Sequence, residues 1–339
     1  MIPVRVVVIA PDDVRRWLVR ALTATRSVAV VGHGDALEDA GGLVRRTSPD
    51  VVVLDLGLPG GSANRVITEV MAHTPRPILA LAPPGPEKLA AETAALAAGV
   101  VEVLPRPADG DVAATERLRR RAEVLRGVSV IPRPLRDGGG RAGHPAGQGN
   151  GRTPVVALAA STGGPQALGT VLAGLRELRS PVLVVQHLHA EFLQGLVSHL
   201  ARSSGLPVEL ATDGVKAEPG VVYVGPNGRH LRLGTDRRLY LDPEPATIYV
   251  PSADQLFSSV ARTAAAEAVG VLLTGMGEDG AAGLLAIRQA GGTTIVQDEA
   301  SSAVFGMPAA AQRLGAAGQV LPLDRIAPAI MRAAAWVTR

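Results

Sequence analysis

The sequence predicts an α/β protein of two doubly wound parallel-sheet domains. Three observations predict it. Short, continuous apolar runs (VRVVVIA, VVVLDL, VVALAA) alternate with amphipathic helical stretches, the pattern of strands buried on both faces of a parallel sheet. That pattern fills residues 1–127, stops, and resumes at Pro154. Between the two halves, residues 128–153 are rich in Gly and Pro, and from Pro132 onward almost bare of apolar residues, so they cannot offset the entropy of ordering and read as a flexible linker. The 339 residues suffice for two domains of ordinary size, 1–127 and 154–339.

Composition narrows the function classes. Aromatic residues are only 2%, so the cores have to be built from Ala, Val and Leu. There is no cysteine, which removes disulfides, thiolate chemistry and Cys-zinc sites. The net charge of +3 is not gathered into a basic stripe, which argues against nucleic acid. The arginines from Arg117 to Arg126 read as a solvated helix face. No apolar run approaches the roughly 18 residues of a membrane span, and MIPVRVVVIA lacks a signal layout. A soluble cytoplasmic protein without membrane insertion is the expectation.

In the first half, strands are expected at 4–10, 28–32, 51–56, 77–82 and 100–104. Helices are expected at 11–25, 35–46, 87–98 and 115–126, with another between the third and fourth strands. Ligands of such sheets bind beyond the carboxyl ends of the strands, which makes Asp55, at the end of VVVLDL, a candidate site. A turn or helix-start aspartate is the plainer alternative. These residues resemble the receiver domains of two-component response regulators, whose fold is flavodoxin-like. The resemblance implies that Asp55 is the phosphoacceptor and a Mg²⁺ ligand. The rest of the pocket departs from the family. The acidic pair after the first strand aligns with Ala10-Pro11, and Asp12-Asp13 come two residues late. Ala82 stands where a hydroxyl residue is expected, and Arg106 where a lysine is. Mg²⁺ needs near-octahedral oxygen ligands, so a displaced pair weakens the metal site, and phosphorylation is expected to be weak or absent.

In the second half, VVALAA ends abruptly at Ser161, followed by Thr162, Gly163, Gly164, Pro165 and a helical pattern to about Leu178. That is strand, glycine turn and helix N-terminus with a hydroxyl at the corner, where free backbone N–H groups can receive an oxyanion. The serine could equally cap the helix. A strand at 181–185 ends in Gln186-His187, and helix 191–202 and strand 208–211 follow. Residues 220–242 alternate and carry Gly-Asn and Gly-Thr-Asp turns, which suggests an antiparallel meander. Helix 252–268 and strand 269–273 lead to Thr274-Gly275-Met276-Gly277-Glu278-Asp279-Gly280 and helix 281–290. A strand at 293–297, a turn through Phe305 to Pro308 and two helices close the chain.

Three strands thus end near Ser161, His187 and Asp279: a nucleophile, a base, and a carboxylate to orient the base. His189 and His230 compete with His187 for the role of base, and Asp254 and Asp298 compete with Asp279. The stretches ASTGGPQAL, VVQH, VYVGPNGRHL, LLTGMGEDGAAGL and QDEASSAVFGMP resemble the catalytic domain of the chemotaxis response regulator protein-glutamate methylesterases, CheB. The receiver-linker-hydrolase order matches as well.

The resemblance implies Ser161 as nucleophile, His187 as general base and acid, and Asp279 as the orienting carboxylate. It also implies that Thr162 helps hold the histidine and that the Met276 amide is an oxyanion donor, with Gly163 and Gly164 lining the turn. It implies hydrolysis of glutamate γ-methyl esters on methyl-accepting chemoreceptors through a glutamyl-serine intermediate, with glutamine deamidation by the same groups and no cofactor. Its partners would be those receptors and a chemotaxis histidine kinase. Three departures stand out: Ala159 for a glycine, Leu188-His189 for Met-Pro, and Tyr249-Val250 for a His-Arg pair, the last removing a basic group near the substrate surface. The alternatives are a non-catalytic adaptor that binds receptors or kinase, and a serine hydrolase of another ester.

Overall fold

The computed structural model describes residues 2–35, 40–85, 88–126, 128, 153–243 and 247–337. The chain separates into two compact units, Met1–Leu135 and Arg136–Arg339. The predicted linker at 128–153 lies, Val128 and Thr153 apart, outside the described residues.

The first unit alternates β1 (Val4–Ile9), α1 (Asp12–Thr23), β2 (Val28–Gly34), α2 (Ala40–Thr47), β3 (Val51–Asp55), α3 (Ala63–His73), β4 (Ile78–Ala82), α4 (Lys88–Ala98), β5 (Glu102–Pro105) and α5 (Val112–Leu125). Its five strands are parallel in the order β2-β1-β3-β4-β5, the doubly wound order that leaves a crevice at the carboxyl ends of β1 and β3. Every residue of β3 and β4 is buried, which is why these strands read as unbroken apolar runs. Most boundaries shift by a residue or more from the expected ones, and two of the shifts have a plain local reason. The α5 helix starts at Val112 because the Asp111 carboxylate accepts from the Ala114 amide, a cap the sequence reading missed. The fifth strand starts at Glu102 because the Val100 amide still closes on Ala95 of α4.

The second unit contains β6 (Val155–Ala160), α6 (Gly164–Ala173), β7 (Val182–Gln186), α7 (Leu193–Ser204), β8 (Val208–Leu210), β9 (Val222–Val224), β10 (His230–Leu233), β11 (Leu239–Asp242), α8 (Ala253–Ala264), β12 (Ala268–Leu272), α9 (Ala281–Gln289), β13 (Thr293–Gln297), α10 (Met307–Arg313), β14 (Gln319–Leu321) and α11 (Leu323–Val337). Seven strands form one parallel sheet, ordered β14-β13-β12-β6-β7-β9-β8. Alternate residues of β6 enter opposite cores. Val155, Ala157 and Ala159 pack with α8, α9 and α10, while Val156, Leu158 and Ala160 pack with α6, α7 and α11.

The alternating stretch 220–242 divides in two. Residues Val222–Val224 join the parallel sheet between β7 and β8, and only β10 and β11 form an antiparallel pair, separate from it. The α6 helix ends at Ala173 rather than near Leu178, since Gly174, Leu175 and Leu178 close successive tight turns. Strand β14, absent from the sequence reading, pairs parallel with β13.

This order positions the site. The chain leaves β6 toward β7 on one side and returns as β12 on the other, so β6 lies at the topological switch point. The turns that follow β12, β6 and β7 emerge side by side on one edge.

Candidate active site

Ser161 directly follows β6. Its amide donates to the Thr274 carbonyl beyond β12 (3.0 Å), and its carbonyl accepts from the Gly164 amide (2.8 Å). Gly163 sits at φ 77°, in the left-handed region that favours glycine. A Cβ there would stand 2.5 Å from the Ala303 methyl, and one at Gly275 would stand 2.8 Å from the Ser161 Cβ. The glycines around this hydroxyl are therefore required by packing as well as by conformation.

His187 directly follows β7, and its amide donates to the Ala160 carbonyl (3.1 Å). The buried Gln186 amide group donates to the carbonyls of Ser161 (2.8 Å) and His187 (2.9 Å), tying the two strand ends together. Asp279 Oδ2 stands 2.9 Å from His187 Nε2. Both side chains are nearly buried, at 10% and 7% exposure, so little water competes for the bond. Asp279 also accepts from the Ser252 hydroxyl (2.7 Å) and from the amides of Ala253 (2.7 Å) and Asp254 (3.1 Å), at the N-terminus of α8. Burial pushes this carboxyl up. The hydrogen bonds from His187, Ala253 and Ser252 outweigh it and hold Asp279 below its ordinary value. An ionised Asp279 can only accept, so Nε2 is the ring nitrogen that donates to it. Nδ1 is buried and has no hydrogen-bond partner among the described residues. The ring is thus turned relative to the usual serine-hydrolase assignment, in which Nδ1 meets the carboxylate.

The competing candidates lie elsewhere. His189 is exposed and its ring lies against Phe192. His230 is fully buried, and its Nδ1 accepts from the Ser252 amide (3.1 Å). Asp254 accepts from the Gly283 amide (2.6 Å) and Asp298 from Ser301 (3.0 Å). Asp279 caps α8 rather than the α9 helix that follows it, and Asp254 of α8 caps α9 in return. Thr162 is buried, with its carbonyl accepting from the Thr274 hydroxyl (2.9 Å). The amides of Met276 and Gly277 donate to no group among the described residues, and Met276 is 44% exposed. Sequence reasoning missed Tyr249, Ser252 and Gln186. Tyr249 stacks on the His187 ring, where the sequence reading had placed only a lost basic group near the substrate surface.

Residues 156–330, more than half of the chain, match the family model described as CheB methylesterase. The chain belongs to the CheB methylesterase family. Membership makes it a carboxylic ester hydrolase. It is 42% identical to protein-glutamate methylesterase/protein-glutamine glutaminase 2 of Anaeromyxobacter dehalogenans, over 97% of this chain and 96% of that protein. It is 38% identical to protein-glutamate methylesterase FrzG of Myxococcus xanthus, over 98% of each. Among solved structures, the CheB methylesterase catalytic domain of Thermotoga maritima is 32% identical, with a TM-score of 0.52; the match covers 53% of this chain and 98% of that domain.

The first unit of this CheB-family chain has its own candidate at Asp55, fully buried at the end of β3. The Arg106 fork donates from Nε to Oδ2 (2.6 Å) and from Nη2 to Oδ1 (2.5 Å), and the Gly57 amide donates to Oδ1 (2.7 Å). Burial pushes the Asp55 carboxyl up, with Arg106 and Gly57 opposing. Asp12 is exposed and engages Arg15, and Asp13 is exposed. No helix among the described residues is long and apolar enough to cross a membrane.

Proposed function

We propose that this protein hydrolyses glutamate γ-methyl esters on methyl-accepting chemoreceptors with Ser161, His187 and Asp279. The observation that carries the reading is the His187–Asp279 hydrogen bond of 2.9 Å, on a strand end that Gln186 ties to that of Ser161, with one buried ring nitrogen that has no hydrogen-bond partner among the described residues. The Ser161 oxygen attacks the γ-carbonyl carbon while its proton passes to His187 Nδ1. The carbonyl oxygen becomes an oxyanion and accepts from backbone amides of the Met276 loop and of Gly163, the Gly164 amide being engaged by the Ser161 carbonyl. As the tetrahedral species collapses, the C–O bond to methoxide breaks and methoxide leaves as methanol with the Nδ1 proton. Water then attacks the glutamyl-serine ester, giving one proton to Nδ1, which returns it to Ser161. Throughout, the Nε2 proton stays on the ring, and Asp279 stabilises the imidazolium. With glutamine in the site the same steps release ammonia, so deamidation belongs to the same machinery, and neither reaction calls on a cofactor.

In the receiver-like unit, both Asp55 oxygens are already engaged by a guanidinium. Among the described residues no group of three or more His, Asp or Glu could hold a metal ion. These residues do not fit Mg²⁺, and we derive no phosphorylation step at Asp55. The partners on this reading are chemoreceptors and a chemotaxis histidine kinase, in the cytoplasm, with neither nucleic acid nor membrane insertion. Methanol release from methylated receptor tests the proposal. The intact protein is expected to release methanol and Ser161→Ala to release none; release that survives that substitution refutes the triad. Incubation with acetyl phosphate and Mg²⁺ is expected to leave Asp55 unlabelled, and stoichiometric, Asp55-dependent labelling refutes the reading of the first unit.

A further inference from the structure

His187 is held at one edge and on one face. Asp279 holds the edge through Nε2. The face is covered by Tyr249, with ring centroids 4.5 Å apart and planes 10° from parallel. A hydrogen bond at one ring nitrogen fixes the direction of that N–H but leaves the ring free to tilt about it. A flat partner in van der Waals contact removes the tilt on its side. The free nitrogen, Nδ1, is the atom whose direction the tilt controls.

The surroundings of Tyr249 hold it in place. Its carbonyl accepts from the Thr247 hydroxyl (2.5 Å). A few residues on, Ser252, Ala253 and Asp254 supply the donors that hold Asp279, so one short stretch orients the imidazole face and the carboxylate together. Across the ring, a Cβ at Gly277 would stand 3.2 Å from the Tyr249 hydroxyl, and the bare glycine leaves room for it.

We propose that Tyr249 is a positioning residue that holds the His187 ring plane so that Nδ1 faces Ser161, and that its aromatic face, not its hydroxyl, does so. The inference rests on the reading of His187 as the base. Catalysis falls steeply with small misplacements of a reacting group, so Tyr249→Leu is expected to lower kcat by about ten- to hundredfold, with KM within about twofold of the parent. Tyr249→Phe keeps the face and is expected to hold kcat within about threefold.

The intact wild-type protein supplies a readout that needs no Tyr249 variant to fold. The His187 Cε1 proton, assigned by its loss in His187→Ala, is expected upfield of those of the other histidines, shielded by the stacked ring. Tyr249→Phe is expected to keep that shift and Tyr249→Leu to abolish it. A wild-type His187 resonance without the upfield shift overturns the proposal. So does a Tyr249→Leu protein whose kcat matches the parent, or one whose loss falls on KM alone. An active His187→Ala protein sinks the base assignment itself; an inactive one beside a fully active Tyr249→Leu protein sinks only the stacking role.

Discussion

Asp279→Asn separates the two tasks of this carboxylate. Each oxygen accepts two hydrogen bonds: Oδ1 from the Ser252 hydroxyl and the Asp254 amide, Oδ2 from His187 and the Ala253 amide. Asparagine keeps one acceptor and gains an NH₂ donor. With the NH₂ in the Oδ2 position it meets the Ala253 N–H and donates to His187 Nε2, moving the ring proton to Nδ1 and abolishing the base. With the NH₂ in the Oδ1 position it meets the Asp254 N–H, while the Ser252 hydroxyl can turn to accept from it. This second arrangement loses one buried acceptor and costs about 1–3 kcal/mol of stability. It keeps the tautomer but leaves the imidazolium without a charged partner, a charge-assisted bond of about 1.5–3 kcal/mol, or roughly 10- to 150-fold in kcat. The first arrangement costs about 10⁴-fold, as in serine hydrolase triads whose histidine is held in the wrong tautomer. Methanol release with the folded variant is therefore expected to fall by between about ten- and 10⁴-fold. A kcat within twofold of the parent refutes the assignment of Asp279 as the partner of the base.

Asp279 also sets an acid limit. Its folded pKa is depressed, so the stability it contributes is present at neutral pH and is lost as pH falls through about 4 and below. Thermal melts from pH 6 to pH 2 are expected to fall more steeply for the parent than for Asp279→Asn; parallel curves contradict this. Gly163→Ala places a methyl 2.5 Å from Ala303 at a left-handed φ, and should both destabilise the second unit and abolish methanol release. A melt and an activity equal to the parent's would contradict it. Arg106→Ala leaves Asp55 buried and unpaired, and is expected to cost the first unit about 3–5 kcal/mol in denaturant unfolding. An unchanged midpoint there would show that the ion pair does not hold this pocket.

Much of this was legible because buried parallel strands announce themselves. The runs VVVLD, VVALAA and VLVVQ are apolar on both faces, and the residue that ends or follows each faces the ligand edge. What escaped was weakly patterned or non-local. Strand β14 is three residues long and partly exposed, and its pairing comes from β13 rather than from its own apolarity. The Asp111 cap escaped because a lone aspartate before a helix looks like many others. Tyr249 looked like a change at the substrate surface because nothing in the residues around it points to a histidine 62 positions earlier.

The sequence by itself determined which residues reach the reactive edge. Strand periodicity and glycine turns are local properties, and they put Ser161, His187 and Asp279 at or just beyond the ends of strands. Tertiary structure decided what those residues touch. Strand order set β12, β6 and β7 side by side, so His187 met Asp279 across 92 positions of chain. His187 and the N-terminus of α8 together hold that carboxyl below its ordinary value, and Nδ1 is left as the ring nitrogen without a hydrogen-bond partner among the described residues. Arg106 closed on Asp55 from 51 positions away. Hydrogen-bond partners and stacking faces belong to neighbours in space, and spacing along the chain does not encode them.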